Sequence, residues 1–170
     1  MSIKVEEIDN EIQILERLIR KSNIDTTKGL PESVFLFGSS IMPIVNVDLL
    51  ITDDKRRVLL SWRDDVYHGK GWHIPGGCVR LKEHLVDRVK KTAIEELGCE
   101  VKFDPKPIQV EEGIIDFPRP WLDNELVRSH NVSLLYHASV PEEYKICNGN
   151  KSERDAGFLK WFDYIHVQHN

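Results

Sequence analysis

A chain of 170 residues with 41% hydrophobic and 30% charged residues can bury one substantial core, so a single domain over residues 1–170 is expected. The net charge of −5 argues against nucleic acid as the main partner, because phosphate-backbone binding needs a clustered basic excess; a small anionic ligand fits if basic groups line its pocket. No run approaches the roughly 20 apolar residues of a bilayer span, and the N-terminus carries acids where a basic-then-apolar leader would stand, so a cytoplasmic protein without a membrane partner is expected.

Val5, Ile8, Ile12, Leu15, Leu18 and Ile19 recur at helical spacing among acids and bases. They predict an amphipathic helix over about 4–22, ending before Asn23 and broken by Gly29-Leu30-Pro31. Its single apolar stripe either packs on its own domain or forms the seam of a homodimer. From Val34 the pattern becomes strand-like, at 34–37 and again at 44–51, where Val45, Val47, Leu49 and Ile51 alternate with Asn46 and Asp48. Asp53-Asp54 supplies a turn, and 58–62 is expected to return as the hairpin partner. Further strands are predicted at 100–103, 108–115, 132–140 and 158–162, interrupted by one helix from Leu85 to Leu97. Strands without regular strand–helix alternation imply an α+β fold in which a mixed sheet lies between helices.

Cys78, Cys99 and Cys147 show no paired metal spacing and leave an odd number, so they read as reduced thiols. Asn131-Val132-Ser133 matches a glycosylation sequon, which without a secretory signal reads as chance.

The chemistry concentrates in Gly71-Trp72-His73-Ile74-Pro75-Gly76-Gly77 and in the helix that follows it, which ends in Glu95-Glu96-Leu97-Gly98. A Pro-Gly-Gly turn lets backbone approach an anion or metal closely, because glycine carries no side chain and tolerates positive φ, and its carbonyls can act as hard oxygen ligands. On the helix Val86, Val89, Ala93 and Leu97 form the buried stripe, with Glu96 at its margin, Glu95 farther round and Gly98 as the cap. Neighbouring carboxylates at a buried margin call for a compensating cation, and the oxygen-seeking ion of phosphate chemistry is Mg2+, with Mn2+ as its substitute.

This spacing resembles the Nudix box, G-x5-E-x7-R-E-U-x-E-E-x-G-U with U a bulky apolar residue. Gly77, Glu83, Lys91, Thr92, Ala93, Glu95, Glu96, Gly98 and Cys99 fall on its fixed positions in that order. The resemblance implies a Nudix-like α/β/α sandwich and a metal-dependent hydrolase. Lys91 stands where arginine is usual, Thr92 where a metal-binding glutamate is usual, and Ala93 and Cys99 are smaller than the pattern expects. Losing that glutamate implies fewer metals or another ligand set. The GDP-mannose mannosyl hydrolases are similar here, and the likeness extends to the 46–51 strand, to Arg63 before the turn and to His130 before a strand.

That branch implies water attacking the sugar's anomeric carbon while the nucleoside diphosphate leaves, its charge held by Mg2+ and arginine. Carried across, the Gly76 carbonyl and Glu96 would be metal ligands, Arg63 a diphosphate contact, and Lys91 the charge of the box arginine; apart from that branch, the spacing after the double glycine makes Glu95 a further candidate metal ligand. The branch's arginine after the double glycine is Cys78 here, and its histidine base has no histidine counterpart between Cys147 and Trp161. Glu153 or Asp155 is then the polar candidate for a base or an extra ligand.

Each residue also has a structural reading. Glu95 can pair with Lys91, Glu83 with Lys91 across about two turns, and Arg63 with Asp64 or Asp65. Trp72 either stacks on a base or packs in the core, and His130 either binds substrate or is a satisfied structural histidine. Three functions follow: hydrolysis of a nucleotide sugar at carbon, a nucleoside diphosphate-X pyrophosphatase attacking phosphorus, and a nucleotide-binding regulatory module without turnover.

Overall fold

The computed structural model describes residues 5–163. The amphipathic segment forms helix α1 (Val5–Lys21), and the start expected at residue 4 lies outside the described residues. None of its residues is buried: Leu15 and Ile19 are partly covered, while Val5, Ile8, Ile12 and Leu18 are exposed.

Residues 34–37, expected as a strand, instead lie in helix α2 (Glu32–Ile41). A short apolar run has no period of its own, and here Pro31, with φ −52°, sets the entry of a helix whose first turn carries Glu32. No described helix is long and apolar enough to cross a membrane.

Strand β1 (Ile44–Ile51) keeps its expected alternation, with Val47, Leu49 and Ile51 fully buried. The hairpin expected between it and the next strand does not form. β2 (Arg57–Asp65) meets β1 only through an isolated bridge from Thr52 to Val58. The Asp53 carboxylate accepts the N–H groups of Lys55 (3.0 Å) and Arg57 (2.9 Å), a tight polar turn after which the chain enters a second sheet. There β2, with Val58, Leu59, Leu60 and Ser61 all buried, pairs antiparallel with β3 (Gly69–His73) and with β8 (Leu159–Asp163). β3 and the short β4 (Gly76–Cys78) have no counterpart among the predicted strands.

The larger sheet has five strands. β4 pairs antiparallel with β1, and β1 runs parallel to β7 (His130–Ser139). The other edge of β7 is shared by β5 (Lys102–Phe103) and β6 (Gln109–Ile114), both antiparallel. Helix α3 (Leu85–Leu97) packs on β1 and β4 through Val89, Ala93 and Leu97, which are 5% exposed or less. These side chains join Leu59, Tyr136, Ala138 and Leu159 in the core, where burying each Val or Leu contributes about 1.5–3 kcal/mol. The architecture is α+β with a mixed sheet, as the strand and helix order implies.

Candidate active site

The site is built where β4 pairs with β1 at the edge of the five-stranded sheet. Antiparallel pairing sets Gly76 opposite Asp48, Gly77 opposite Val47 and Cys78 opposite Asn46. Because side chains alternate along a strand, Val47 and Leu49 enter the core while Asn46 and Asp48 face the other way. Gly76 lies so close to the Asp48 carboxylate that a Cβ there would collide with it. The two glycines have no positive φ, so the conformational reason inferred for them is replaced by a steric one: only a residue without a side chain lets β4 approach Asp48 and α3.

Two cavities meet along this face. One, of about 330 Å³, is lined by Ser61, Arg63, His73, Gly76, Glu96 and Gly157, among others. The second, of about 430 Å³, is lined by Asn46, Asp48, Arg63, Gly76, Arg128 and Asn131, with His68 and Cys78 also on its wall. Arg63, His73, Ile74 and Gly76 belong to both, which makes one continuous cleft with Glu96 towards one end and Arg128 towards the other.

The electrostatics of the cleft suit an anion held with a cation. Burial pushes the Glu96 carboxyl up, against the nearby charge of Arg63 and with the repulsion of Glu95 adding to it. Glu96 makes no hydrogen bond or ion pair with a donor among the described residues. Burial likewise raises Asp48, while a hydrogen bond donated by the Ser133 hydroxyl and the charge of Arg63 pull the other way. His68 and His73 are held below the ordinary histidine value by burial first, then by the arginines: Arg128 and Arg63 for His68, Arg63 for His73.

The structure sorts the residues singled out in the sequence. Arg63, Trp72, Gly76, Gly77 and Glu96 line the cleft, although Arg63 also lies 3.6 Å from the Asp65 carboxylate. Trp72 packs edge-on against Trp62, Phe158 and Phe162, so its ring is part of an aromatic cluster as well as of the cleft wall. Glu95 is turned away: its carboxylate accepts a hydrogen bond from Arg88 at 2.5 Å, not from Lys91, and with Lys91 it lines a different cleft beside Lys90, Ile94 and Val101. Adjacent helical residues are about 100° apart, so two neighbouring acids reach different faces.

Lys91 pairs with Glu83 at 2.7 Å. The Glu83 side chain is 3% exposed and also accepts the N–H of Arg80 at 3.0 Å, so this pair orders the loop before α3. Gly98 closes α3 with φ 73°, its N–H donated to Ile94. His130 is 3.0 Å from the exposed Glu112 and lines neither cavity. Glu153 pairs with Lys160 at 2.5 Å and Asp155 accepts the N–H of Ser152 at 2.7 Å; both are exposed, and only their neighbours Ala156 and Gly157 reach the cleft.

Three residues were not recognised from sequence. Asp48 was read only as the polar half of an alternating strand, although a carboxylate between Val47 and Leu49 was itself the signal. Arg88, 1% exposed, is the buried cation of α3: it donates to Thr92 (3.2 Å) and Glu95 and lies 4.0 Å from Glu83. Arg128 carried no motif. Asn131 and Ser133, which make the sequon, line the cleft and bond Asp48 respectively.

A divalent cation fits this donor set. Among the described residues no group of three or more His, Cys, Asp or Glu side chains gathers as a metal site. Glu96, the unpaired carboxylate in the cavity that Gly76 also lines, suits an ion that takes one or two protein oxygens and completes its shell with phosphate oxygens and water, as Mg2+ does.

The family model described as NUDIX domain matches residues 42–170, so α1 and α2 both precede the matched region. The chain is 37% identical over 80 residues to the low-salt glycan biosynthesis protein Agl8 of Haloferax volcanii, a match covering 47% of this chain and 51% of that protein. It thus spans about half the length of this curated relative. Among solved structures it is similar to a MutT protein from Methanosarcina mazei, with a TM-score of 0.52 and 19% identity over 76% of this chain and 84% of that one. It is also similar to the NUDIX domain of Shewanella oneidensis NrtR, solved in complex with ADP ribose, with a TM-score of 0.51 and 17% identity over 82% and 87% of the two chains.

Proposed function

The chain belongs to the NUDIX domain family and is a Nudix-type hydrolase, and we propose that it hydrolyses a nucleoside diphosphate sugar with the help of Mg2+. The observation that carries this reading is the cleft in which Gly76 and the unneutralised carboxylate of Glu96 share a wall with Arg63. A diphosphate brings negative charge to Arg63, whose carboxylate partner Asp65 stands at 3.6 Å, and the cation it carries brings the positive charge that Glu96 lacks. The name of the Haloferax relative, a glycan biosynthesis protein, supports an activated sugar as the other half of the substrate.

Each residue then has a task. Glu96 and the Gly76 carbonyl would hold the cation, which when bound supplies charge against the departing diphosphate. Arg63 binds that diphosphate and favours its accumulated charge. Asp48, raised towards neutrality by burial and oriented by the Ser133 hydroxyl, is the carboxylate placed to take a proton from the attacking water. Glu95, Lys91 and Glu83 act on the shape of α3 and its loop through the Arg88–Glu95 and Lys91–Glu83 ion pairs, outside the cleft.

The site for this reaction would work in the cytoplasm, where nucleotide sugars and Mg2+ are abundant and the three cysteines, all free, stay reduced. We place a second copy of the chain on α1, whose apolar residues are exposed and whose charges run from Glu6 and Glu7 in the first turn to Arg20 and Lys21 in the last, an order that favours antiparallel self-pairing.

The test is to incubate a nucleotide-sugar panel with Mg2+ in 18O-labelled water. Free sugar carrying the label, with released nucleoside diphosphate, is the expected result. Label on phosphate would reassign the chemistry to attack at phosphorus, and ligand binding without any turnover would make the protein a nucleotide-binding module.

A further inference from the structure

Arg128 sits in the loop just before β7, at the end of the cleft away from Glu96, with a backbone φ of 52° and its N–H donated to the hydroxyl of Ser39 at 3.1 Å. Ser39 is 3% exposed on α2, so the position is anchored to a buried part of that helix. The guanidinium carbon lies 5.2 Å from the centre of the Tyr67 ring and 5.6 Å from that of Phe35, rings that come from separate segments and both pack against it. Among the described residues it makes no ion pair, and its Nε–H is buried without an acceptor. The fully buried Arg88 and Arg119 donate through their guanidinium groups to protein acceptors, although the Nε–H of Arg119 also lacks one, whereas the half-buried Arg128 side chain has no such acceptor among the described residues.

A rigidly held guanidinium with a buried unmatched donor stores an uncompensated desolvation cost that an incoming anion removes. Its planar fork matches phosphate oxygens two at a time. Cys78 lies on the same wall, so the side chain that follows the double glycine brings no charge while Arg128, from the loop before β7, brings one to the same cavity. The neighbouring Cys78 and His68 feel that charge: burial acts first on both, and among charged groups Arg128 acts most strongly on each.

We propose that Arg128 is the second cationic clamp of the cleft, binding a phosphate oxygen of the substrate's diphosphate opposite Arg63 and supplying from the loop before β7 the charge absent at Cys78. This deepens the nucleotide-sugar reading and rests on it for the identity of the anion. It also gives α2 a task, since Phe35 and Ser39 hold the clamp in place.

The test uses the full chain and inorganic pyrophosphate, titrated calorimetrically with and without Mg2+. Arg128→Gln should weaken pyrophosphate binding on the order of tenfold or more while melting at the wild-type temperature. Affinity within about twofold of wild type, or no pyrophosphate binding to the wild type, would overturn the proposal. Should Arg128→Gln fail to fold, the wild-type protein decides: the Arg128 Nε–H signal in nitrogen-15 NMR shifts as pyrophosphate saturates, and a signal that stays put under saturation overturns it. Arg128-dependent pyrophosphate binding without hydrolysis of any nucleotide sugar would sink the functional reading alone. Hydrolysis with Arg128-independent binding would sink this proposal alone.

Discussion

Gly77 lies directly against Thr92: a Cβ on the glycine would stand 2.7 Å from the threonine hydroxyl oxygen and 3.4 Å from Nε of Arg88. The strand that floors the cleft is therefore locked to α3 at the one box position where the family's usual glutamate is missing, and the threonine is 1% exposed.

Gly77→Ala should consequently destabilise the protein by about 1–3 kcal/mol, because neither backbone nor buried helix can give way freely. Thr92→Ala should cost about 1 kcal/mol through loss of the Arg88 contact. The double variant should cost less than the two added, since the second change makes room for the first. Urea unfolding of all four proteins measures the coupling; strict additivity would mean the contact is relaxed in solution.

Glu96→Gln should reduce Mg2+-dependent turnover by about a hundredfold or more, since a neutral amide cannot balance the cation's charge. Glu95→Gln should leave turnover within about threefold and remove at most about 1 kcal/mol of stability, its exposed carboxylate pairing with Arg88 outside the cleft. Steady-state kinetics of the pair tests this, and the reverse ranking would mean that α3 presents the wrong acid to the cleft.

His68 and His73 titrate below the ordinary histidine value, burial being the main cause for both. The unfolded chain therefore takes up protons at a higher pH than the folded one. The stability these residues contribute is present above about pH 6.5 and is lost as pH falls towards their folded values. Melting temperature should decline over that window, and inorganic pyrophosphate, by favouring the protonated rings, should bind more tightly as pH falls and offset the decline. Replacing both histidines with Asn should flatten each curve in a pH-resolved melting series.

Ile8→Lys combined with Ile12→Lys should convert a dimer into a monomer in sedimentation measurements while leaving turnover per chain unchanged, as α1 contributes nothing to the cleft walls. A wild-type protein that already sediments as a monomer would remove α1 from any role in assembly.

Periodic segments were legible in the sequence and isolated apolar runs were not. Helix α3 has the boundaries its stripe and Gly98 imply, and β1 shows the burial its alternation implies, because each carries enough repeats to define a face. Residues 34–37 could form strand or helix, and only Pro31 and the packing of α2 decide it. The partners of β2 were misjudged because sequence proximity favours a hairpin, whereas a strand with four consecutive buried residues needs cover on both faces.

At the site, Gly76, Glu96 and Arg63 were visible as a spaced pattern. Arg88 was hidden because it lies one helical turn before the position the pattern reserves for arginine, yet reaches the same acids. Arg128 was hidden for a different reason. Its relation to Cys78 exists only through the juxtaposition of β7, β1 and β4, which no local spacing encodes.

Arg63 comes from β2, in the three-stranded sheet, while Gly76 and Asp48 belong to the five-stranded one. Among the described residues, the Thr52–Val58 bridge is the one backbone ladder contact joining β1 to the β2 segment. Any molecule gripped by both walls acts as a rivet between halves that the main chain only loosely stitches. Part of the attraction for substrate is thereby converted into stiffness of the whole fold, so that the protein is at its most rigid when its cleft is full.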